Sequence, residues 1–393
     1  MPGDSVFLLA GLLILLGIGA WAYGQFFDRD EALPTRISAD YIRGLNLVLS
    51  RRTDEALELF IQMAKVDDDT LETHFALGHL FRRQGEFDRA IRVHENLLQR
   101  ENLNDLQHDQ AIYALAEDFL GAGLFDRAEQ LLEQLKDSET HSQIALERLV
   151  YIYEREGEWE KAIDSHRRLE MLSGEKTPHV SHYYCELAER SLAAGDMDGA
   201  REYLKNTIRS PSGALRGTLI RAGIAKGEQR YREAAGLYQQ VLERDAGFLS
   251  EILADVLDCY ELDNQAAEFE ILIRNLVAKD PTTVSAIAYA TVLHELTRSA
   301  ALAECFEAFI AENEVLNHLV DVDAIKAADA DDRAARLARI AQGLRMLALT
   351  TARYRCSNCG YGTQRFIWHC PSCKLWETVR PVQRFELESA VAH

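Results

Sequence analysis

The sequence lacks the short motifs on which most nucleotide-binding and hydrolytic enzymes depend. It contains no GxxxxGK followed by Ser or Thr, no GxGxxG after a strand, no HExxH and no GxSxG. Only 7 of its 393 residues are proline, and it has no Ser-rich or Gln-rich tract, which disfavours a Pro-rich scaffold. With 47% hydrophobic residues it is expected to fold into two or three domains, and an enzyme is the least favoured class.

Cysteine is scarce and odd in number, and this excludes an ordinary extracellular disulfide framework. Four of the 7 cysteines stand in two CxxC pairs, whereas Cys185, Cys259 and Cys305 are isolated. This usage is typical of a metal site in a protein of a reducing compartment.

Positive charge is scarce along most of the chain, which carries a net charge of −20. A general nucleic-acid binder is therefore disfavoured. The segment from Arg333 to Arg384 is the exception, because its formal charge is +9, against −29 for the rest. A bound zinc ion with four thiolates would lower that value to about +7. We predict that this segment either docks on the acidic body or offers a basic face to phosphates. The predicted basic face consists of Arg333, Arg336, Arg339 and Arg345.

One long hydrophobic run lies at the N-terminus. Val6 to Tyr23 is free of charged residues and would form a helix about 27 Å long, close to the thickness of a bilayer core. Trp21 and Tyr23 stand at the end where aromatic rings prefer the headgroup layer. The run predicts a transmembrane anchor over residues 1–24, followed by a linker over 25–36.

A cleavable signal peptide is the alternative, since Ala20-x-Ala22 resembles a cleavage site. The preceding MPGDS has no Lys or Arg and the run is long, so a retained anchor is favoured. The short segment before the run has no basic residue, whereas the segment after it has five: Arg29, Arg36, Arg43, Arg51 and Arg52. By the positive-inside rule this difference predicts that the body is cytoplasmic.

Internal repeats fill the middle of the chain. A small residue recurs at spacings of 32 to 38 residues: Ala56, Ala90, Ala128, Ala162, Ala200, Ala234 and Ala266. Twelve residues before each stand Gly44, Gly78, Ala116, Val150, Ala188, Ala222 and Ala254. Four residues after the first six stand Phe60, His94, Leu132, His166, Leu204 and Tyr238. Facing small residues let two helices cross closely, and stacked pairs bury a continuous core.

The turns GEFDRA, GLFDRA, GEWEKA and GDMDGA separate the helices of four of these pairs. The pattern resembles the tetratricopeptide repeat over residues 37–280. Residues 281–352 are predicted to contain degenerate repeats and an Arg-rich connecting helix. The expected fold class is thus all-α, with a transmembrane helix before the array and a small metal ribbon after it.

Arrays of this kind usually bind a protein segment on the surface formed by the first helix of each pair. The alternative is that polar residues there only coat a solvated face. The repeat register predicts that this surface carries Phe75, His79, Arg82, Arg83, Tyr113, Glu117, Glu147, Tyr151 and Arg155.

The two CxxC pairs predict a metal ribbon over residues 353–385, followed by a tail over 386–393. Cys356, Cys359, Cys370 and Cys373 can close a tetrahedron around one ion, and Gly360 and Gly362 can adopt the positive φ that points amides at sulfur. A redox dithiol or chance pairing is the alternative. The segment resembles a rubredoxin-type zinc ribbon, although it is shorter and has Lys374 where Gly is common.

The ion expected in this ribbon is Zn²⁺, and iron is the less favoured alternative. With four sulfur ligands the site would be structural, since no position is left for water. The aromatic residues Tyr361, Phe366, Trp368 and Trp376 are expected to form the ribbon's core.

Two further metal hypotheses involve histidine. His369 is a possible substitute ligand beside Cys370, although an ordinary surface role is favoured. His179, His182 and Cys185 are spaced to share a helix face, but such a face usually packs rather than binds metal.

Anchor, repeats, Arg-rich helix and ribbon, in that order, resemble the lipopolysaccharide assembly protein B family of Gram-negative bacteria over essentially the full length. The resemblance implies a non-enzymatic, single-pass protein at the cytoplasmic face of the inner membrane. It implies three partners: the membrane AAA+ metalloprotease, the UDP-acyl-N-acetylglucosamine deacetylase as its client, and an inner-membrane lipopolysaccharide sensor. Contact of the Arg residues with lipid A phosphates remains open. The alternatives are a tethered ribbon that binds nucleic acid and, if the N-terminus is cleaved, a periplasmic scaffold.

Overall fold

The computed structural model describes most of the chain beyond residue 70. The described residues are 42–44, 46–47, 50, 52, 55–56, 58–59, 71–174, 179–207, 214–296, 298–319, 325 and 328–385. The predicted anchor, linker and tail lie outside them, as does Phe60. Within these residues, no helix combines the length and the hydrophobicity needed to cross a bilayer.

The described chain is helical up to residue 350 and ends in a small sheet. The first unit ends at Ile152 and the second begins at Tyr153. The helices from residue 71 onward are α1 Leu71–Arg83, α2 Phe87–Leu98, α3 Asp105–Gly121, α4 Phe125–Leu135, α5 Ser142–Glu156, α6 Trp159–Ser173, α7 Val180–Ala193, α8 Met197–Thr207, α9 Ala214–Gly227, α10 Tyr231–Arg244, α11 Leu249–Leu262, α12 Ala266–Lys279, α13 Thr283–Leu293, α14 Ala300–Glu312, α15 Glu314–Leu319 and α16 Ala330–Thr350. A short 3₁₀ turn, Ala246–Phe248, precedes α11.

The small residues of the repeat pattern lie where the helices cross. Ala90, Ala128, Ala200 and Ala234 have no exposed surface, so the predicted close crossing is confirmed at these positions. Gly78 shows why the partner position must be small, because a Cβ there would overlap the buried ring of His94. Helix pairs therefore stack within each unit as tetratricopeptide-like repeats.

The turn between the two helices of most pairs contains a residue in the left-handed backbone conformation. Gly85, Gly123, Gly157 and Gly195 have φ between 71° and 80°, a region in which glycine carries no steric cost. Later turns reach similar angles with Gln229 (φ 62°), Asn264 (φ 57°) and Glu295 (φ 54°). The loss of glycine explains why the pattern fades along the sequence although the helix pairs continue.

The predicted register of the seventh pair is wrong. Ala266 is exposed at the start of α12, and the buried residues of that helix are Phe269 and Ile273. A large aromatic side chain occupies the contact that a small residue makes elsewhere, which changes the spacing. Beyond it, α13 and α14 form a further pair, and α16 packs on α13 through Leu344 and Ala348.

The C-terminal ribbon is a three-stranded antiparallel sheet in the order β2-β1-β3. Its strands are β1 Tyr354–Cys356, β2 Gly362–Thr363 and β3 Val379–Pro381. Tyr354 of the central strand pairs with Thr363 on one side and Pro381 on the other.

Candidate metal centre and the surface that holds the ribbon

The four cysteines of the ribbon converge on one point. Cys356 ends β1 and Cys359 lies in the turn that follows it, while Cys370 and Cys373 lie at the turn before β3. Cys356 Sγ lies 3.7 Å from Cys373 Sγ, and Cys359 Sγ lies 3.7 Å from Cys370 Sγ. All four sulfurs are within 4.8 Å of one another. A tetrahedron with Zn–S bonds of 2.3 Å places its sulfurs about 3.8 Å apart, so the four thiolates fit one Zn²⁺ ion.

The two turns have the same backbone shape. The Gly360 N–H donates to Cys356 O at 2.9 Å, and the Lys374 N–H donates to Cys370 O at 2.9 Å. Gly360 has φ 76° and Lys374 has φ 60°, so the lysine adopts a conformation that favours glycine. His369 Nε2 lies 3.0 Å from Lys374 O, which ties this imidazole to the backbone of the second turn rather than to the metal site.

The environments of the thiols differ before any ion binds. A hydrogen bond with Thr378 lowers the pKa of Cys356 to about 6, whereas burial raises the pKa of Cys370 to about 11. A metal ion binds thiolates and would displace the proton from each of them. An ion held by all four sulfurs would have no open position, and its role would be structural.

Trp376 attaches the second turn to the repeats of the second unit. Its ring stacks on His182 of α7, with centroids 4.8 Å apart, and meets Tyr183 edge-on. Trp376 Nε1 donates to Glu154 Oε1 at 3.1 Å, and the Tyr183 hydroxyl donates to the same oxygen at 2.7 Å. His182 Nε2 lies 3.2 Å from Glu377 Oε1, without the angles of a hydrogen bond.

A second aromatic contact lies beside the first. Trp368 stacks on Phe248 at 5.6 Å, and Phe366 meets the same ring edge-on at 5.7 Å. Arg216 of α9 is 2% exposed and places its guanidinium 5.7 Å from the Trp368 ring centre. Arg216 also donates to Glu186 at 2.8 Å and Glu189 at 2.9 Å, so three elements meet at one buried cation.

The sheet itself is bonded to α11 and the turn before it. The Tyr354 hydroxyl donates to Glu251 Oε2 at 2.8 Å, and Arg380 Nη1 donates to Asp245 Oδ2 at 2.7 Å. Ser250 donates its hydroxyl to Val382 O at 3.0 Å. The ribbon therefore rests on the first helices of the pairs in this unit, the surface on which such arrays usually bind a protein segment.

The aromatic residues of the ribbon divide their roles in a way that the sequence did not predict. Phe366 packs in the ribbon's core with Tyr354 and Val379. Trp368 and Trp376 instead contact the repeats, and Tyr361 is 39% exposed. The assignment of Trp368, Trp376 and Tyr361 to the ribbon's core is thus corrected. So short a module cannot cover large rings completely with its own chain.

The Arg-rich segment docks on acidic residues of its own unit. Arg333 pairs with Glu307 of α14, and Arg345 Nη1 lies 2.5 Å from Glu295 Oε1. Arg336 pairs within α16 with Asp332 at 2.7 Å. Arg339 is exposed. Three of the four Arg residues of the predicted basic face therefore pair with carboxylates. Two of these pairs join α16 to neighbouring parts of the body, as the prediction of docking on acidic residues requires.

The predicted partner surface is internally bonded where it lies in the first unit, and its last residue, Arg155, belongs to the second unit. Arg82 donates to Asp118 Oδ1 at 2.7 Å, and Arg148 Nε lies 2.6 Å from Glu117 Oε1. His79, Arg83, Glu147, Tyr151 and Arg155 are exposed, and Tyr113 is half-buried. Phe75 is only 5% exposed and belongs to a core cluster with Leu71 and Leu97, so its assignment to the exposed surface is corrected.

The hypothesis of a second metal site at α7 fails in the described residues, where the four cysteines of the ribbon form the only set with metal-ligand spacing. His182 packs against Trp376, and burial raises the pKa of Cys185 to about 12, which opposes a thiolate. His166 Nε2 of α6 lies 2.9 Å from the Tyr183 hydroxyl oxygen and donates to it, because that hydroxyl gives its own proton to Glu154. Burial lowers the pKa of His166. These histidines hold the docking surface together.

Several residues that hold the ribbon have no distinguishing sequence pattern. Glu154, Arg216 and Glu251 stand in helices without any special motif, and nothing in their spacing relates them to a segment over a hundred residues away. A buried Arg on a first helix is unusual, but its burial cannot be read from the sequence.

The fold and the tetrathiolate site define a tetratricopeptide-repeat protein that carries a rubredoxin-like metal-binding ribbon. The family described as Rubredoxin metal binding domain matches residues 354–381, and the Tetratricopeptide repeat families match residues 73–107 and 113–174. Lipopolysaccharide assembly protein B of Escherichia coli (strain K12) is 34% identical over 394 residues, covering 96% of this chain and 99% of that protein. The protein of the same name from Haemophilus influenzae is 31% identical over 402 residues, covering 95% and 98%. The chain belongs to the lipopolysaccharide assembly protein B family.

Solved structures resemble only part of the chain. One described as the crystal structure of MamA protein is 22% identical, with a TM-score of 0.32, and covers 47% of this chain and 97% of that chain. The C-terminal part of a TPR repeat-containing protein from Cytophaga hutchinsonii is 14% identical, with a TM-score of 0.35, and covers 61% and 95%. Similarity at this level carries no argument about function.

Proposed function

We propose that the protein is a non-enzymatic, membrane-anchored scaffold that regulates lipopolysaccharide synthesis. In this proposal it presents the UDP-acyl-N-acetylglucosamine deacetylase to the membrane AAA+ metalloprotease and responds to an inner-membrane lipopolysaccharide sensor. The observation that carries the proposal is the nearly full-length relation to proteins named Lipopolysaccharide assembly protein B.

The geometry of the metal centre supports a scaffold rather than a catalyst. The four sulfurs would fill the coordination positions of one ion and leave no place for a substrate. The ion would hold the two cysteine turns together, and the turns in turn position Trp368 and Trp376 against the repeats. His79 and Glu147 of the predicted partner surface are exposed, and in our proposal the client contacts this surface.

The N-terminal hydrophobic run supports a role at the membrane. In our proposal residues 1–24 form a single-pass anchor with the body and ribbon in the cytoplasm. An anchor confines client and protease to one plane and raises their effective concentration, which can increase avidity by about 10²–10⁴-fold.

The test is the lifetime of the deacetylase in cells. The chromosomal gene is replaced by the full chain, by a chain lacking residues 2–24, or by Cys356→Ser with Cys359→Ser. Pulse-chase labelling should show rapid turnover with the full chain and severalfold slower turnover with either variant. The variant Ser372→Ala, which alters the same turn without removing a ligand, serves as the control. Equal turnover in all four strains would refute the proposal.

A further inference from the structure

A cleft of about 600 Å³ opens between α13, α14 and α16. This volume lies within the range of small-molecule sites, which are commonly about 300–1,000 Å³. None of the four cysteines of the metal centre lines the cleft, and nothing in the proposed scaffold function uses it.

The walls of the cleft change in character along its length. Ala303 and Phe306 of α14 face Ala334 and Leu337 near the start of α16, and this end is apolar. Toward the other end of α16, Gln342 and Arg345 face Thr291 and Glu295. The cleft is therefore amphipathic, with one apolar end and one polar end, and the polar end is called its mouth below.

The dimensions favour a slender occupant. Arg345 stands eleven helical steps after Ala334, about 16 Å at 1.5 Å per residue, which is close to the length of an extended dodecyl chain. A helix with side chains is about 10–12 Å across, so one of this length would need roughly twice the volume. An alkyl chain fits the cleft, and a helix from another protein would leave most of itself outside.

The charge at the mouth selects the headgroup. Arg345 is held by Glu295, but the Glu295 side chain is 63% exposed and can turn to solvent. An exposed ion pair contributes little stability, so an incoming anion can replace Glu295 on the guanidinium. The Arg345 Nε–H is also buried without a partner among the described residues and can donate to the same anion.

We propose that this cleft binds a single alkyl chain ending in a carboxylate or a phosphate. The chain lies along α16 between Phe306 and Leu337, and the headgroup meets Arg345 and Gln342. This site is separate from the proposed function and does not depend on it.

The experiment uses the full chain in lipid nanodiscs and a diazirine analogue of dodecanoate as the probe. After photolysis, peptide mass spectrometry should place the label in residues 283–312 and 330–350. Excess dodecanoate or dodecyl phosphate should compete, whereas butanoate and dodecyltrimethylammonium should not. Label confined to other peptides, or equal competition by the cationic amphiphile, would overturn the proposal.

Substitutions in α16 locate the site. Ala338 lines the cleft and is exposed, so Ala338→Trp should fill it without disturbing the core and reduce labelling by at least about tenfold. Ala335 is exposed on the same helix but does not line the cleft, so Ala335→Trp is the matched control. Equal labelling of the two variants would show that the chain does not enter the cleft.

A milder change tests the headgroup and does not depend on how a tryptophan packs. Gln342→Glu adds a negative charge at the mouth, where Gln342 is exposed. Competition by dodecanoate should weaken by about tenfold, while competition by dodecanol should not change. If the variant weakened competition by both compounds equally, or by neither compound, the role of the mouth would be contradicted.

A peptide competitor distinguishes an alkyl chain from a protein segment. If a synthetic amphipathic helix displaced the probe where dodecanoate did not, the site would be one for protein and the proposal would be wrong.

Discussion

Carboxylates on the first helices of the repeats serve different purposes in the two units. In the first unit, Asp118 of α3 has no exposed surface, accepts from Arg82 and pairs with the ring of His94, so it joins neighbouring helices to one another. In the second unit, Glu154 and Glu251 accept instead from Trp376 and Tyr354 of the ribbon.

The comparison shows that carboxylates of the same repeat architecture can either stabilise contacts between helices or bind the ribbon. Asp118 is enclosed by its own array, so removing it would leave the Arg82 guanidinium without its compensating charge. The side chain of Glu251 is 28% exposed even with the ribbon in place. Water can reach its surroundings, and its loss should weaken docking without unfolding the helices.

The largest effect should come from removing the metal ligands. Cys356→Ser with Cys359→Ser should abolish metal binding, which amounts to about 10–16 kcal/mol in structural zinc sites. Metal content by mass spectrometry should fall to background, while far-UV circular dichroism should change little because the helices end before the ribbon. Residues 353–385 should become sensitive to protease. A general loss of helix would show that the array depends on the ribbon and would break the comparison.

The buried carboxylate of the first unit should rank second. Asp118→Ala leaves Arg82 and His94 without their acceptor and should cost about 3–5 kcal/mol of unfolding free energy. Denaturant unfolding of the full chain would measure the loss. Glu95→Ala, at an exposed position of the adjoining helix α2, should change it by less than about 0.5 kcal/mol. Similar losses of unfolding free energy in the two variants would mean that the buried contacts of Asp118 do not stabilise the array.

The acceptor of the second unit should have a smaller and more local effect. Glu251→Gln should weaken docking of the ribbon by about 1–3 kcal/mol, because the Tyr354 hydroxyl and Arg353 lose a charged acceptor. Faster hydrogen exchange in residues 354–381, with unchanged exchange in α1 to α4, is the expected result. Glu243→Gln, at an exposed position of α10, is the control. Faster exchange throughout the chain would contradict a local docking role.

The smallest effect concerns the ribbon alone. Lys374 has a positive φ at the position where the first turn has Gly360, so Lys374→Gly should stabilise the second turn by about 1 kcal/mol. A slower release of zinc to a chelator would report this gain. Gly360→Lys should have the opposite effect, since it places a side chain at φ 76°. If both variants accelerated release, the side chain of Lys374 would matter more than its backbone.

Short-range features of the fold could be predicted because each depends on nearby residues. The turn glycines at 85, 123, 157 and 195 and the alanines at 90, 128, 200 and 234 have the conformations and burial that the repeat pattern requires. The pattern failed at Ala266, where Phe269 takes the contact, because a change in side-chain size shifts the crossing point. Phe75 was misassigned because register alone does not give the depth of a position.

The sequence by itself determined the helix pairs and the four metal ligands, since turn geometry and CxxC chelation are set within a few residues. Only the tertiary structure decided where the ribbon rests. That contact joins Glu154 to Trp376 and Asp245 to Arg380, pairs separated by more than a hundred residues. Such contacts have no spacing rule, because they depend on how the whole second unit folds back on itself rather than on any local preference of the chain.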